Sequence, residues 1–505
     1  MKDFMGRGAR RGGAGSVAVA LAALVLLGSC GAREGDRYAA EKELFKARAL
    51  GEQAAAGSMR PEFLAGAVDA YRSLVSEYAP AAASSEDVEA IVVAAQMELA
   101  ELEFRGMMLQ EARNDFERLI DIAGAFPPVR ASALFSAGAV SEELGEIESA
   151  ARHYERFYRE FLASDSIAPA ARMNPRYLSV PLRLADLATR AGRAEDAERW
   201  YRRAETTYGR LIAAETEPTL LKEARFNLLA VHLQRKNWER GLALSRELRA
   251  LYPQPQDESS TLFIEAKILD DGLARASEAR ATYLSIAERF PREREAAAAL
   301  LAAALIDRRA GRLGAARAAY ERIIDSYGDR ANEAAEAAWQ LAEMEEGAGR
   351  WEEASLRYKT IYANYPETLR GFEAPLRGAR AYAAKGAADA AKAAYDRALE
   401  HYEKLAGEQR RESTRIIAED YAVRVLAERK RWREAAERLL KLPDRYPAYA
   451  PLRENYLRAA AIHERELADS EGAARILETC VAKYPETELA KTAGRELARL
   501  RGGRR

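Results

Sequence analysis

Histidine, cysteine and tryptophan are scarce in this chain, at four, two and five residues in 505. The histidines His153, His232, His401 and His463 are scattered with no metal-ligand spacing among them, so no metal site is expected. Gly-rich phosphate loops and a nucleophile elbow are absent, and no stretch of useful length alternates apolar and polar residues as a strand does. Carboxylate clusters such as Glu352 and Glu353 read as solvated helix faces, and no segment is left for a catalytic domain. Neither an enzyme nor a cofactor is therefore expected. Charge of one sign is missing too: 78 basic residues against 79 acidic ones give a net charge of −1 and no basic field for nucleic acid. The only long apolar run covers residues 17–27.

What the chain has is a repeat. In residues 335–366, Leu341 lies on a first helix that ends at Gly349, where a missing Cβ lets the backbone turn at low cost. Ala354 on the second helix is small enough for the two helices to approach closely, and Tyr358 and Ile361 follow on the same face. Tyr365 precedes Pro366, which prevents the helix from continuing.

The same frame recurs as Ala67 with Tyr71 and Tyr78, Ala112 with Phe116, Ala150 with Tyr154 and Phe161, Ala197 with Tyr201 and Tyr208, and a weaker Gly241 with Tyr252. It becomes more regular at Ala279 with Tyr283, Ala316 with Tyr320, Ala354 with Tyr358 and Ala391 with Tyr395. Two degenerate units, Ala435 with Leu439 and Ala473 with Leu477, close the run. Cys480 stands seven after Ala473, where the reference unit has Ile361, and is expected to be a buried small apolar residue.

This pattern resembles the tetratricopeptide repeat family at Leu341, Gly349, Ala354, Tyr358, Ile361 and Pro366, with Ala342 where that family often has Gly. The resemblance covers residues 37–498, with longer spacing than the family minimum. It implies an all-α, right-handed superhelical solenoid of about eleven antiparallel helix pairs, in which neighbouring units bury one continuous core. Solenoid sequence is expected over residues 37–486, and a capping helix with a basic tail over residues 487–505. Insertions at residues 79–87, 163–179 and 404–413 are expected to be slack in loops.

Residues 1–29 read as a signal peptide, because Lys2, Arg7, Arg10 and Arg11 precede an apolar run too short to span a bilayer. The run ends in Leu27, Gly28, Ser29 and Cys30, which resembles the lipobox of bacterial lipoproteins. That resemblance implies cleavage before Cys30, lipid on Cys30, and a short tether over residues 30–36 that keeps the first repeats near a membrane. Cleavage would remove four basic residues and one acidic one, moving the net charge from −1 to −4, and leave Cys480 as the only thiol. Gly31 after the cysteine implies passage to the outer membrane in lineages that obey the enterobacterial sorting rule.

In the resembled family the first helix of each pair lines a groove. Fifteen residues before each small residue stand Met97, Phe135, Leu182, Phe226, Ile264, Leu301, Trp339 and Leu376, followed by Asp420 and Arg458. This apolar stripe, edged by Arg308 and Arg380, would suit an amphipathic helix or extended peptide of a protein partner, or would pack against neighbouring first helices. The expected function is a lipid-anchored scaffold in the bacterial envelope, facing the periplasm from the outer membrane. It resembles repeat lipoproteins of outer-membrane assembly or repeat proteins that coordinate envelope constriction. The alternative is a surface-exposed ligand-binding lipoprotein, an adhesin or a glycan-capturing protein.

Overall fold

The computed structural model describes residues 34–502 except 57, 58, 60, 165–167, 408–410 and 448. The signal peptide, Cys30 and the end of the basic tail lie outside the described residues. Within the described residues the chain is all-α, with consecutive packed helix pairs and no strand, and it divides between Leu251 and Tyr252 into two compact units.

In the first unit, α1 (Glu34–Ala56) pairs with α2 (Pro61–Ala82), α3 (Glu86–Arg105) with α4 (Leu109–Ile122), and α5 (Pro127–Glu143) with α6 (Ile147–Phe157). A π turn (Tyr158–Leu162), the short α7 (Pro169–Arg172) and a 3-10 turn (Pro175–Ser179) follow. Then α8 (Val180–Arg190) pairs with α9 (Ala194–Ala214), and α10 (Pro218–Gln234) with α11 (Trp238–Leu251).

In the second unit the pairs are α12 (Pro255–Lys267) with α13 (Ala276–Arg289), α14 (Glu295–Arg309) with α15 (Leu313–Ser326), and α16 (Ala331–Gly347) with α17 (Trp351–Asn364). They continue as α18 (Leu369–Ala384) with α19 (Ala388–Gly407), α20 (Glu412–Glu428) with α21 (Trp432–Arg445), and α22 (Asn455–Arg465) with α23 (Ser470–Lys483). The last helix, α24 (Glu488–Gly502), packs on α23.

The small residue of every pair is buried, from Ala67 to Ala473. Seven positions on, the side chains Leu74, Leu119, Phe157, Ala204, Leu248, Ile286, Ile323, Ile361, Ala398, Leu442 and Cys480 are all buried as well. Burying a Leu or Ile there stabilises the pair by about 1.5–3 kcal/mol, so this position contributes to the core in nearly every repeat. Close approach also shapes the first helices. A Cβ on Gly138 of α5 would stand 2.6 Å from the Tyr154 ring of α6.

The turn inside the pair sits five residues before the small residue and has positive φ. Gly145, Gly192, Gly311, Gly349 and Gly386 fill it in five repeats. Met107, Lys236, Ala274, Lys430 and Ala468 fill it in five more, although a Cβ is unfavourable there, and in the first pair the positive-φ residue is Met59, eight residues before Ala67. At Gly349 the α16 end is closed by Gly349 N–H donating to Glu346 O and Arg350 N–H donating to Glu345 O, each at 2.9 Å. That is the Schellman arrangement.

The insertion at residues 163–179 is ordered core rather than slack over its second half. Tyr177 and Leu178 are buried, and Tyr208 Oη of α9 donates to Leu178 O at 2.5 Å. Pro169 and Pro175 each open a short helix, where a missing N–H costs nothing, and this folds the segment back onto α5 and α10.

Candidate binding face

The stripe on the first helices divides in two. Met97, Leu182 and Leu376 are buried in the core, and Trp339 is only 6% exposed. Phe135, Phe226, Ile264 and Leu301 are partly exposed. The exposed edge of Phe135 is enclosed by its own unit, with its ring centroid 5.1 Å from Tyr177 and 5.9 Å from Tyr154 and the Arg183 guanidinium 5.4 Å from the ring. Phe135 is thus covered by the insertion that precedes α8.

Trp339 is covered from the next repeat. The Arg370 guanidinium of α18 lies 4.3 Å from its ring centroid, Tyr358 meets it edge-on at 5.1 Å, and its Nε1 donates to Glu343 Oε1 at 2.9 Å. Arg370 is held in place by Glu336 at 2.7 Å and Glu373 at 2.6 Å. A guanidinium on an indole face that also carries two carboxylate contacts is a satisfied structural cluster.

The arginines at the edge make the same kind of link between neighbouring first helices. Arg308 of α14 donates to Glu343 of α16 at 2.9 Å and also reaches Gln340. Arg380 of α18 donates to Glu428 of α20 at 2.8 Å, and Tyr395 Oη donates to the same carboxylate at 2.9 Å. Asp420 and Arg458, which share the stripe position in successive repeats, meet at 2.9 Å. At Asp420 and Arg458, then, the stripe positions of adjacent pairs contact one another.

On α14 this face is apolar and partly exposed, although Leu301 also packs against the core of its own repeats. On α14 the residues Ala298, Leu301, Ala302 and Leu305 are all partly exposed, and their spacing puts them on one stripe of the helix. Sequence reasoning selects Leu301 and misses the other three. The run from Ala296 to Ile306 is apolar all round, so periodicity offers no way to tell its buried face from its open one.

The histidines stay apart: His153 lies 3.1 Å from Glu117, His463 lies 2.9 Å from Asp469, His401 packs on the Tyr362 ring, and His232 is buried. Among the described residues no group of three or more metal-ligating side chains comes together, and no helix is long and apolar enough to cross a membrane. A cleft of about 310 Å³ bordered by α19, α20 and α21 is lined by charge. Its Arg438 and Arg445 both bind the buried Glu419, at 2.5 and 2.6 Å, so those charges are engaged internally.

Residues 454–487 match the family described as Tetratricopeptide repeat. The match falls on α22 and α23, one of the two units that the sequence pattern ranks as degenerate, rather than on residues 335–366. Among solved structures, a tetratricopeptide repeat protein from Parabacteroides merdae ATCC 43184 is similar at 14% identity, over 56% of this chain and 93% of that one, with a TM-score of 0.38. No curated protein matches the chain.

Proposed function

We propose that this chain is a lipid-anchored scaffold of the bacterial envelope, which holds partner proteins on the first-helix face of its second unit. The observation that carries the reading is the partly exposed apolar stripe of Ala298, Leu301, Ala302 and Leu305, beside positions such as Arg308 and Trp339 that ion pairs and ring contacts engage. Such a stripe accepts the apolar side of an amphipathic helix, while Arg308 and Arg309 at the end of α14 flank it. Repeats in which each pair contacts chiefly its neighbours suit a scaffold, because they offer extended surface.

Anchoring is supported by the basic residues, the apolar run and the Leu27, Gly28, Ser29, Cys30 sequence. In this reading the lipid on Cys30 holds the chain at the outer membrane, facing the periplasm. The test is in-cell crosslinking and purification of the intact protein beside a Cys30→Ala variant. Envelope proteins that co-purify with the anchored form alone support the proposal. Capture of glycan or host material, together with digestion of the protein by protease added to intact cells, replaces it with a surface-exposed ligand binder.

A further inference from the structure

We infer that the outer face of α1 lies on the lipid bilayer itself, an inference that rests on the anchoring at Cys30. A solenoid exposes one helix face at each end, and solubility favours a polar surface there. The C-terminal end obeys this: α24 turns Glu488, Lys491, Arg495, Glu496 and Arg499 outward. The N-terminal end does not. Tyr38 and Phe45 on α1 are 71% and 75% exposed, although α1 packs its other side against α2 and α3.

These aromatics form a patterned stripe. Positions 38, 42, 45 and 49 fall within one narrow arc of the helix and hold Tyr38, Lys42, Phe45 and Ala49, with Lys46 alongside. Aromatic rings interleaved with lysines match the headgroup layer, where a ring sits at the acyl boundary and an ammonium reaches anionic phosphate. Among nearby acids, Glu41 is engaged by Arg37 at 2.9 Å and Glu43 by Lys46 at 2.5 Å, so Lys42 is the ammonium this stripe offers, with the exposed Glu52 two turns beyond Phe45.

Chain geometry selects a bilayer over other occupants. The helix starts at Glu34, so at most ~14 Å of extended chain separates Cys30 from α1. A face tethered that closely meets the membrane at high effective concentration, so even individually weak contacts hold it there.

The experiment uses the full chain, purified from bacteria that process lipoproteins and reconstituted in vesicles of phosphatidylglycerol and phosphatidylethanolamine. Mass analysis of the N-terminal peptide reports lipid on Cys30 and so tests the anchor separately. An environment-sensitive fluorophore on a Phe45→Cys variant is then read against nitroxide-labelled lipid. At least a twofold loss of emission is expected, with the same fluorophore on a Lys491→Cys variant left bright. Weak, equal quenching at both positions on vesicle-bound, lipidated protein overturns the inference and leaves the anchor standing. Emission from position 45 that is already blue-shifted without vesicles and varies with protein concentration overturns it in favour of a second copy of the chain. A mass without lipid, with no quenching at position 45, overturns anchor and face together.

Discussion

Arg317 Nη1 lies 2.8 Å from Glu345 Oε1 and so ties the second helix of one pair to the first helix of the next. The same link stands one repeat earlier, where Arg280 Nε lies 2.7 Å from Asp307 Oδ1. In both, the turn residue after the positive-φ glycine, Arg312 or Arg350, binds the same carboxylate. Each buried acid is thus clamped by the preceding repeat and by its own turn. Burial pushes the Asp307 and Glu345 carboxyls up, and the guanidiniums outweigh it and hold both below the ordinary carboxylate range.

A depressed folded pKa stabilises the fold above the unfolded value, near 4, and that contribution is lost as pH falls through the folded value. Glu345→Gln should therefore lower stability by about 1–2 kcal/mol at pH 7, a figure reduced for solvent screening because the arginines are partly exposed. It should also flatten the loss of stability below about pH 4. Urea titrations at pH 3 and pH 7 check both. A variant as pH-dependent as the parent would remove the clamp from the account.

Two acids on α3 of the first unit should respond in the opposite sense. On α3, burial and the neighbouring Asp115 push Glu103 up to about 8 despite Arg72 at 2.7 Å, and burial pushes Glu101 up to about 7. A raised folded pKa favours the fold below the unfolded value, near 4, and that advantage is lost as pH rises through 7 to 8. Glu103→Gln, which fixes the neutral form, should gain on the parent chain by at least about 1 kcal/mol between pH 5 and pH 9. Equal urea midpoints for variant and parent at both pH values would contradict this.

The turns show how much of the fold is legible in the sequence. Ala354, Tyr358 and Ile361 announce a buried face by type and spacing alone, and their counterparts are buried in other repeats. Half of the positive-φ turns escape notice, because Lys236, Ala274 and Lys430 carry no sequence mark of that backbone; the surrounding helices impose it. The clamps are equally hidden. Glu345 and Asp307 read as solvated charges until the next repeat brings an arginine to them. Trp339 is the instructive case on the candidate face, since its helix position is evident but its covering residue, Arg370, arrives from another repeat.

Those non-glycine turns carry a stability prediction. Ala274→Gly and Lys430→Gly should each stabilise the protein by about 0.5–1 kcal/mol, since relief of the left-handed strain exceeds the extra unfolded-state entropy of glycine. Gly349→Ala should cost a similar amount. Thermal melts of the three variants check the signs, and a lower melting temperature for both glycine variants would refute the strain argument.

The buried position of Cys480 predicts its chemistry. The thiol is fully buried, and burial raises its pKa above the ordinary thiol value, so little reactive thiolate is present and reagents have no access. Thiol reagent should react with Cys480 only as the protein unfolds, at a rate that rises with urea. Cys480→Ser should cost about 1–3 kcal/mol by placing a hydroxyl in an apolar slot, and Cys480→Ala less than that. Rapid labelling in native buffer would show that α23 opens independently of its neighbours.

Partner capture should depend on the α14 stripe and not on the buried aromatics by direct contact. Ala302→Arg places a charge on the open face without emptying any core position, so helicity and melting temperature should hold while capture falls at least tenfold. Trp339→Ala removes a ring packed against Arg370 and Tyr358, and its first effect should be a stability loss of about 3 kcal/mol. Phe135→Ala should behave like Trp339→Ala, because its ring faces Tyr177 inside the unit. Comparing pull-down yield with thermal melting for the three variants separates the two roles. If Ala302→Arg captures partners as the parent does, the first-helix face of the second unit is packing surface alone and the partner must bind elsewhere.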